Sequence, residues 1–330
     1  MSRRSSRDEL LSLHRSLVEI ESISGNEYAV GNFLVEYLTN RGYGADLQFL
    51  DSKSNQGRAR FNVLAWPGKS TAPKPRILVS SHIDVVPPYI PYSIADGPIT
   101  EKTMISGRGS VDAKASVAAQ IIALEELLSD KKVKENDAML LFVVGEETSG
   151  DGMRFFSDAM DKLQSPPNFE AVIFGEPTEN KLACGHKGSL SCVLEAQGHA
   201  GHSGYPWLGK SANELIVKAV SAIVDADLGS SEEFGNTTTN IGILDGGIAL
   251  NVIPEHSTAK FMCRVAIGTE ENGNHVVEAK IREIIVGIDP TAFKLSCSPG
   301  YGVVKTACDV EGWRSRKHGD VEILLTYSRL

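Results

Sequence analysis

Long apolar runs are missing from this sequence, and no stretch approaches the length needed to cross a bilayer. Aromatic residues make up only 7% of it, and it contains no internal repeat and no low-complexity tract. Cysteine is sparse. Cys184, Cys192, Cys263, Cys297 and Cys308 are scattered and odd in number, without CxxC or C2H2 spacing. Neither a disulfide framework nor a zinc finger is expected from them. The N-terminal stretch MSRRSSRDELLSLHRSL lacks the apolar core of a secretory signal, so no signal peptide is visible and the chain reads as cytoplasmic. Positive charge is also in deficit. The formal net charge of -9 argues against nucleic acid or an anionic membrane as the main partner.

What is present is a chain of 330 residues, enough for one to three domains, with 42% hydrophobic and 23% charged residues. Ser6-Arg7-Asp8-Glu9 reads as a capping box that opens a helix with Leu10, Leu13, Leu17 and Ile20 on one face. A second helix is expected over residues 24–38. Apolar runs at 61–65, 76–80, 139–144 and 171–174 read as buried strands, with helices at 113–128 and 152–163 between them. Near-continuous apolar strands alternating with helices indicate an α/β sheet covered on both faces. Beyond Gly185 the texture changes. The runs 189–197, 237–244 and 258–266 alternate apolar with polar, as antiparallel strands with one wet face do, and helices are expected at 211–226 and 270–288. This order describes a smaller α+β domain.

The strands of the first region end in chemistry. RILVSS runs into His82-Ile83-Asp84, MLLFVV into Gly145-Glu146-Glu147, and AVIF into Gly175-Glu176-Pro177. Ligands of open α/β sheets bind at the carboxyl ends of the strands. Asp112, in GRGSVDAK just before a predicted helix, is either an N-cap or a fourth member of the set. Converging carboxylates with one imidazole repel one another unless a cation joins them, and their donor types suit zinc or another divalent transition metal. Asp84 would orient His82 through its second ring nitrogen from the same strand face. Glu146 and Glu147, as neighbours near a strand end, would point to different sides. GRGSVD lacks the GxGxxG spacing and a preceding uninterrupted strand, so a nucleotide site is weakly supported.

In order, HID, GRGSVDAK, GEE, GEPT and the glycine-histidine segment HAGHSGYP resemble the zinc aminoacylase/carboxypeptidase family, which includes acetylornithine deacetylase, succinyl-diaminopimelate desuccinylase and fungal carboxypeptidase-like members. The resemblance implies a zinc-exopeptidase-like catalytic domain, a mixed sheet flanked by helices, over residues 1–185 and 291–330. It implies an inserted α+β lid or dimerisation domain over 186–290. Two zinc ions are implied, with cobalt or manganese as substitutes. Asp112 would bridge them, His82 and Glu176 would complete one site, Glu147 would serve the other, and the Asp112–Ala113 peptide would be cis. Asp84 would orient His82, and Glu146 would be the general base for a water acidified by the metal. His202 would stabilise the oxyanion, Arg264 would bind the substrate carboxylate, and Asn251 would line the substrate side. The substrate would be a small peptide or an N-acyl amino acid, and the lid would support a homodimer. Secretion is implied by the fungal relatives.

After Gly312 the resemblance stops, and no histidine segment for the second metal is found before Leu330; His318 has no matching context. Asp112 and Glu147 alone are too few ligands for a tight zinc site, so the chain as written is expected to be weakly active or inactive. The alternative reading is an impaired homologue that keeps only metal binding or dimerisation.

Overall fold

The computed structural model describes residues 3–53, 57–71, 73–163, 167–179, 181, 183–305 and 324–325. The divergence after Gly312 and His318 fall outside them. The chain forms two compact units, one built on Met1–Cys184 and one on Gly185–Lys305.

In the first unit, α1 (Arg3–Glu19) and α2 (Tyr28–Thr39) precede β1 (Tyr43–Lys53), β2 (Ala59–Pro67) and β3 (Ile77–His82). Then follow α3 (Lys114–Ser129), β4 (Ala138–Val143), α4 (Asp151–Asp161) and β5 (Ala171–Phe174). The strands form one mixed sheet in the order β1-β2-β4-β3-β5, with Leu324–Leu325 pairing antiparallel beside β5. β3 runs parallel to both β4 and β5, whereas β1, β2 and β4 pair antiparallel in sequence along the sheet. The apolar run at 138–143 is continuous because both of its faces are covered. Leu140 and Phe142 join a core with Leu17, Leu34 and Ile121 of the helices, while Met139, Leu141 and Val143 join a second core around Phe156. Because β3 and β4 are parallel, their carboxyl ends, His82 and Val143, lie at the same edge.

Two details differ from the sequence reading. The first helix begins at Arg3, so Ser6 lies inside it, buried, rather than capping it. β1 lacks a strong apolar run and escapes pattern reading; it is held by its antiparallel register with β2, Tyr43 opposite Pro67 and Phe49 opposite Phe61.

In the second unit, β6 (Gly188–Gln197), α5 (Ala212–Asp225), β7 (Thr238–Gly246), β8 (His256–Val265), α6 (Gly273–Ile288) and β9 (Phe293–Cys297) form a four-stranded antiparallel sheet, order β7-β8-β6-β9, with two helices. Alternation decides the faces. Leu190, Leu194, Ala259, Phe261 and Val265 point to the core, which Ile216, Ala219, Ile223, Val277 and Ile281 of the helices complete. Ser211 accepts the amide of Glu214 at 3.3 Å and caps α5.

The expectation against disulfides is overturned. Cys192 and Cys297, 105 residues apart in sequence, face each other across β6 and β9 and are bonded. Cys184 is disulfide-bonded as well, and Cys263 is a free, buried thiol. Spacing along the chain gave no sign of this, because the pairing is created by strand register.

Candidate metal centre

His82 is the last residue of β3, and its side chain is 1% exposed. Its Nε2 lies 2.9 Å from Asp112 Oδ1, 3.8 Å from Glu176 Oε1 and 3.9 Å from Glu146 Oε2. Donor atoms of His82, Asp112 and Glu147 all lie within 4.8 Å of one another. Donors around one tetrahedral zinc, each about 2.0–2.1 Å from it, stand roughly 3.3 Å apart. The nitrogen and oxygen donor set therefore fits a divalent transition ion, with Glu176 at the margin of the same cluster. Sequence reasoning placed these five residues together, and the structure brings the four carboxylates to the His82 imidazole.

Each arrives from a different element. Asp112 closes the turn before α3, and the Asp112–Ala113 peptide is cis. The turn is tied down from beneath: His14 of α1, buried, bonds the carbonyl of Ser110 at 2.9 Å. Lys114, also buried, donates its Nζ to the carbonyls of Leu17 and Ile20 at 2.9 and 2.7 Å, serving the exposed-carbonyl end of α1. Burial lowers Lys114 to about 7, although Asp84 opposes the shift. Glu176 follows β5 in Gly175-Glu176-Pro177.

Glu146 and Glu147 do not extend a strand. β4 ends at Val143, and Gly145 turns the chain with φ +74°. The two glutamates therefore sit on a turn, where the two-residue alternation of a strand does not apply, and both carboxylates lie near the His82 imidazole. Glu146 is exposed and Glu147 half-buried.

Asp84 organises both halves of the cluster. Its carboxylate is fully buried and accepts from Ser24 Oγ at 2.7 Å, the amide of Glu146 at 3.1 Å and the amide of Glu147 at 3.2 Å. It lies beyond the end of β3, so it does not share a strand face with His82. Nδ1 of His82 bonds the backbone carbonyl of Asp84 at 3.0 Å, with the carboxylate at 3.5 Å. Either oxygen leaves Nε2 free of its proton for a metal once the ring is neutral.

The acidic groups crowd one another and the imidazole they surround. Burial alone would lower His82, but hydrogen bonds to Asp112 and Asp84 outweigh it and push the imidazole up to about 11. Burial, reinforced by Glu146, Asp112 and Glu147 against the pull of His82, holds Glu176 up to about 7. Glu147 is raised as well, by burial and then by Asp112. Crowding of this kind at Glu147 and Glu176 is what a divalent cation would relieve.

The second unit carries the other three predicted residues. The short pair Gly201–His202 and Val252–Ile253 forms an antiparallel ladder, and the amide of Ser203 bonds the carbonyl of Asn251 at 3.0 Å. His202 and Asn251 are therefore neighbours. The amide of Gly204 donates to His202 Nδ1 at 3.0 Å, which leaves the ring proton of the neutral imidazole on Nε2. Arg264 sits on β8 opposite Thr238 and Ser189, exposed, between the inward-facing Cys263 and Val265.

Comparison with known proteins decides the family. A peptidase M20 domain-containing protein of Sordaria macrospora is 54% identical, covering 94% of this chain and 73% of that protein. The chain belongs to the M20 peptidase family. A probable carboxypeptidase of Aspergillus flavus is 44% identical, covering 92% of this chain and 72% of its own length. The peptidase dimerisation domain model matches residues 184–288, and a model of peptidase family M28 matches residues 62–207. An M20 family metallo-carboxypeptidase from Sulfolobus solfataricus shares the fold at a TM-score of 0.67 with 18% identity, covering 92% of this chain and 80% of that one. A tripeptidase from Staphylococcus aureus, 20% identical, also reaches 0.67 over 92% of this chain and 78% of its own. As an M20 peptidase the chain is a hydrolase of the metallopeptidase class.

Sequence reasoning missed the residues that support the site. Ser24, Glu27, Arg60, Asn62 and Lys114 carry no metal-like spacing. Their only signal was polar or charged residues inside apolar segments, as in ARFNVLAW.

Proposed function

We propose that this M20 peptidase is a zinc-dependent hydrolase of an amide bond next to a free carboxylate, of the carboxypeptidase or deacylase type. The observation that carries the reading is the convergence of His82, Asp112 and Glu147 donors within 4.8 Å, with Glu146 at 3.9 Å from the same imidazole nitrogen. His82, Asp112, Glu147 and Glu176 would hold the metal, whether as one ion or two. When bound, zinc supplies a Lewis acid that polarises the substrate carbonyl and acidifies water.

The protein's own residues do the rest. Glu146, exposed at the rim, accepts a proton from the attacking water and returns it to the departing amine nitrogen. Asp84 keeps His82 oriented and keeps the Glu146–Glu147 turn in place. His202, whose Nδ1 accepts the amide of Gly204, can present Nε2 as a donor to an oxyanion. Arg264 would pair with the substrate carboxylate, and Asn251, beside His202, would line the substrate side. These last three roles rest on the family likeness.

The dimerisation-domain match supports a homodimer through the second unit. The edge strand β7 and the loop after it agree with that: Ile243 and Leu244 are half-exposed, and Ile248 and Leu250 almost completely so. The Cys192–Cys297 bridge supports an oxidising compartment.

The test is turnover of a blocked dipeptide with a free carboxylate, its C-terminal amide and an N-acetyl amino acid, before and after metal removal. Hydrolysis of a carboxylate-bearing substrate should stop on chelation and return with zinc. Chelator-insensitive turnover, or equal turnover of the amide, would contradict the reading. The ratio of dipeptide to N-acetyl amino acid turnover separates carboxypeptidase from deacylase.

A further inference from the structure

Glu146 and Glu147 leave β4 on a loop whose internal hydrogen bonds are local: the amides of Thr148, Ser149 and Gly150 all converge on the carbonyl of Gly145. Its ends also meet directly, the amide of Gly152 donating to the carbonyl of Val144 at 2.9 Å. Two buried side chains of β2 hold its ends. Asn62, fully buried, accepts the amide of Val144 at 3.3 Å and donates Nδ2 to the carbonyl of Gly152 at 2.7 Å. One side-chain amide thus bridges the residue entering the loop and the residue leaving it.

Arg60, two residues earlier and on the same strand face, works beside it. Its Nε and Nη2 reach the two carboxylate oxygens of Glu27 at 3.0 and 2.7 Å, and its Nη1 reaches Asp151 Oδ2 at 3.2 Å. The guanidinium also presses on the loop entrance. A Cβ at Gly145 would stand 2.8 Å from Arg60 Nη2, so the close approach requires glycine there. The Arg60 side chain is 7% exposed and that of Glu27 1%. A buried ion pair is weak evidence of stabilisation, because an apolar pair of similar volume often does as well. What a bidentate pair supplies is fixed direction.

We propose that Asn62 and Arg60, with Glu27 behind Arg60, are positioning residues that set the place of Glu146 and Glu147 by clamping both ends of their loop. Together with Asp84, which holds the middle, they give the loop three anchors. The inference rests on the reading of Glu146 as base and Glu147 as ligand. It assigns the placement of both to strand β2, which contributes no metal donor.

The test compares wild type with Asn62→Leu and Glu27→Gln in three measurements. These are amide hydrogen exchange of Glu146 and Glu147 in the metal-free chain, release of bound zinc to a chelator, and kcat against KM. Asn62→Leu should speed exchange at these two amides and the release of zinc by about tenfold or more, with β4 amides unchanged. Turnover should fall in kcat with KM nearly constant, and Glu27→Gln should move every readout the same way by less. Exchange and zinc release within about twofold of wild type would overturn the proposal, as would a uniform loss of protection through β4, the mark of a purely structural role. Should Asn62→Leu not fold, Glu27→Gln and Asp151→Asn decide it, and an unchanged loop in both overturns it. Glu146→Gln separates the two layers. Wild-type turnover in that variant would sink the base assignment while leaving the clamp result standing.

Discussion

Asp84 Oδ1 accepts the backbone amide of Glu146 at 3.1 Å, so a buried carboxylate from the end of one strand carries the loop that follows another. The adjacent glutamates of FVVGEETSG are thereby anchored by their backbone, and their side chains are left for chemistry. Asp84 also accepts from Glu147 and Ser24, which satisfies a carboxylate with no access to water.

Replacing Asp84 with Asn should therefore do more than remove a charge. The new NH2 group would face a backbone donor or the Ser24 hydroxyl, and one buried amide would lose its acceptor. Zinc affinity is expected to fall by about 10–100-fold, and stability by about 1–3 kcal/mol. Competitive zinc titration and denaturant unfolding read the two effects separately. Burial alone would raise Asp84, but hydrogen bonds from His82 and Ser24 and from the amide of Glu146 hold it below the ordinary carboxylate value. Its contribution to stability is thus present above the unfolded-state pKa and lost as pH falls through the lower folded value.

Glu146→Gln keeps the shape of the rim and removes the base. The expected outcome is a fall in kcat of about 10²–10⁴-fold with zinc content unchanged. Metal analysis beside single-turnover kinetics checks it. A variant that loses zinc in parallel with activity would show Glu146 to be a ligand instead.

Metal binding should be coupled to protons. In the metal-free chain Glu176 holds its proton up to about 7 and His82 up to about 11. A cation must displace both, because it binds the carboxylate and the neutral imidazole. Zinc affinity should therefore drop as pH falls through about 7, where Glu176 protonates, and binding at neutral pH should still release the His82 proton. Calorimetry in two buffers of different ionisation enthalpy measures this directly. Binding without proton release would contradict the assigned ligands.

The Cys192–Cys297 bridge closes a sequence separation of 105 residues. Chain-entropy reasoning puts its contribution at about 2–5 kcal/mol. Thermal unfolding of the second unit with and without reductant should show a lower midpoint when reduced, and non-reducing peptide mapping should recover the linked pair. An identical midpoint would mean that the bridge contributes nothing to stability.

The sequence made the strand ends legible because buried strands of a two-faced sheet read as apolar runs, and each run stops at the residue that matters. His82, Glu146, Glu147 and Glu176 could be found this way, Asp112 before its helix stood as a candidate beside an N-cap reading, and the family likeness added its role and the cis peptide that follows it. The supports could not. Arg60 and Asn62 look like blemishes in an apolar strand until Glu27, Val144, Asp151 and Gly152 are brought to them from distant segments. The same holds for Cys192 and Cys297, whose pairing is a consequence of register. β1 was missed because its residues alternate weakly and owe their conformation to β2. The capping box at Ser6 misled for the opposite reason: a sound local signal lost to a helix that starts three residues earlier.

The metal centre itself is tested most directly by zinc titration of the metal-free chain against His82→Ala. His82 Nε2 lies within 4 Å of Asp112, Glu146 and Glu176 carboxylate oxygens, and its donor groups with that of Glu147. Wild type should bind zinc tightly, and His82→Ala should weaken the site by about 100-fold or more while the fold survives by circular dichroism. Equal zinc binding by the two proteins would contradict the account.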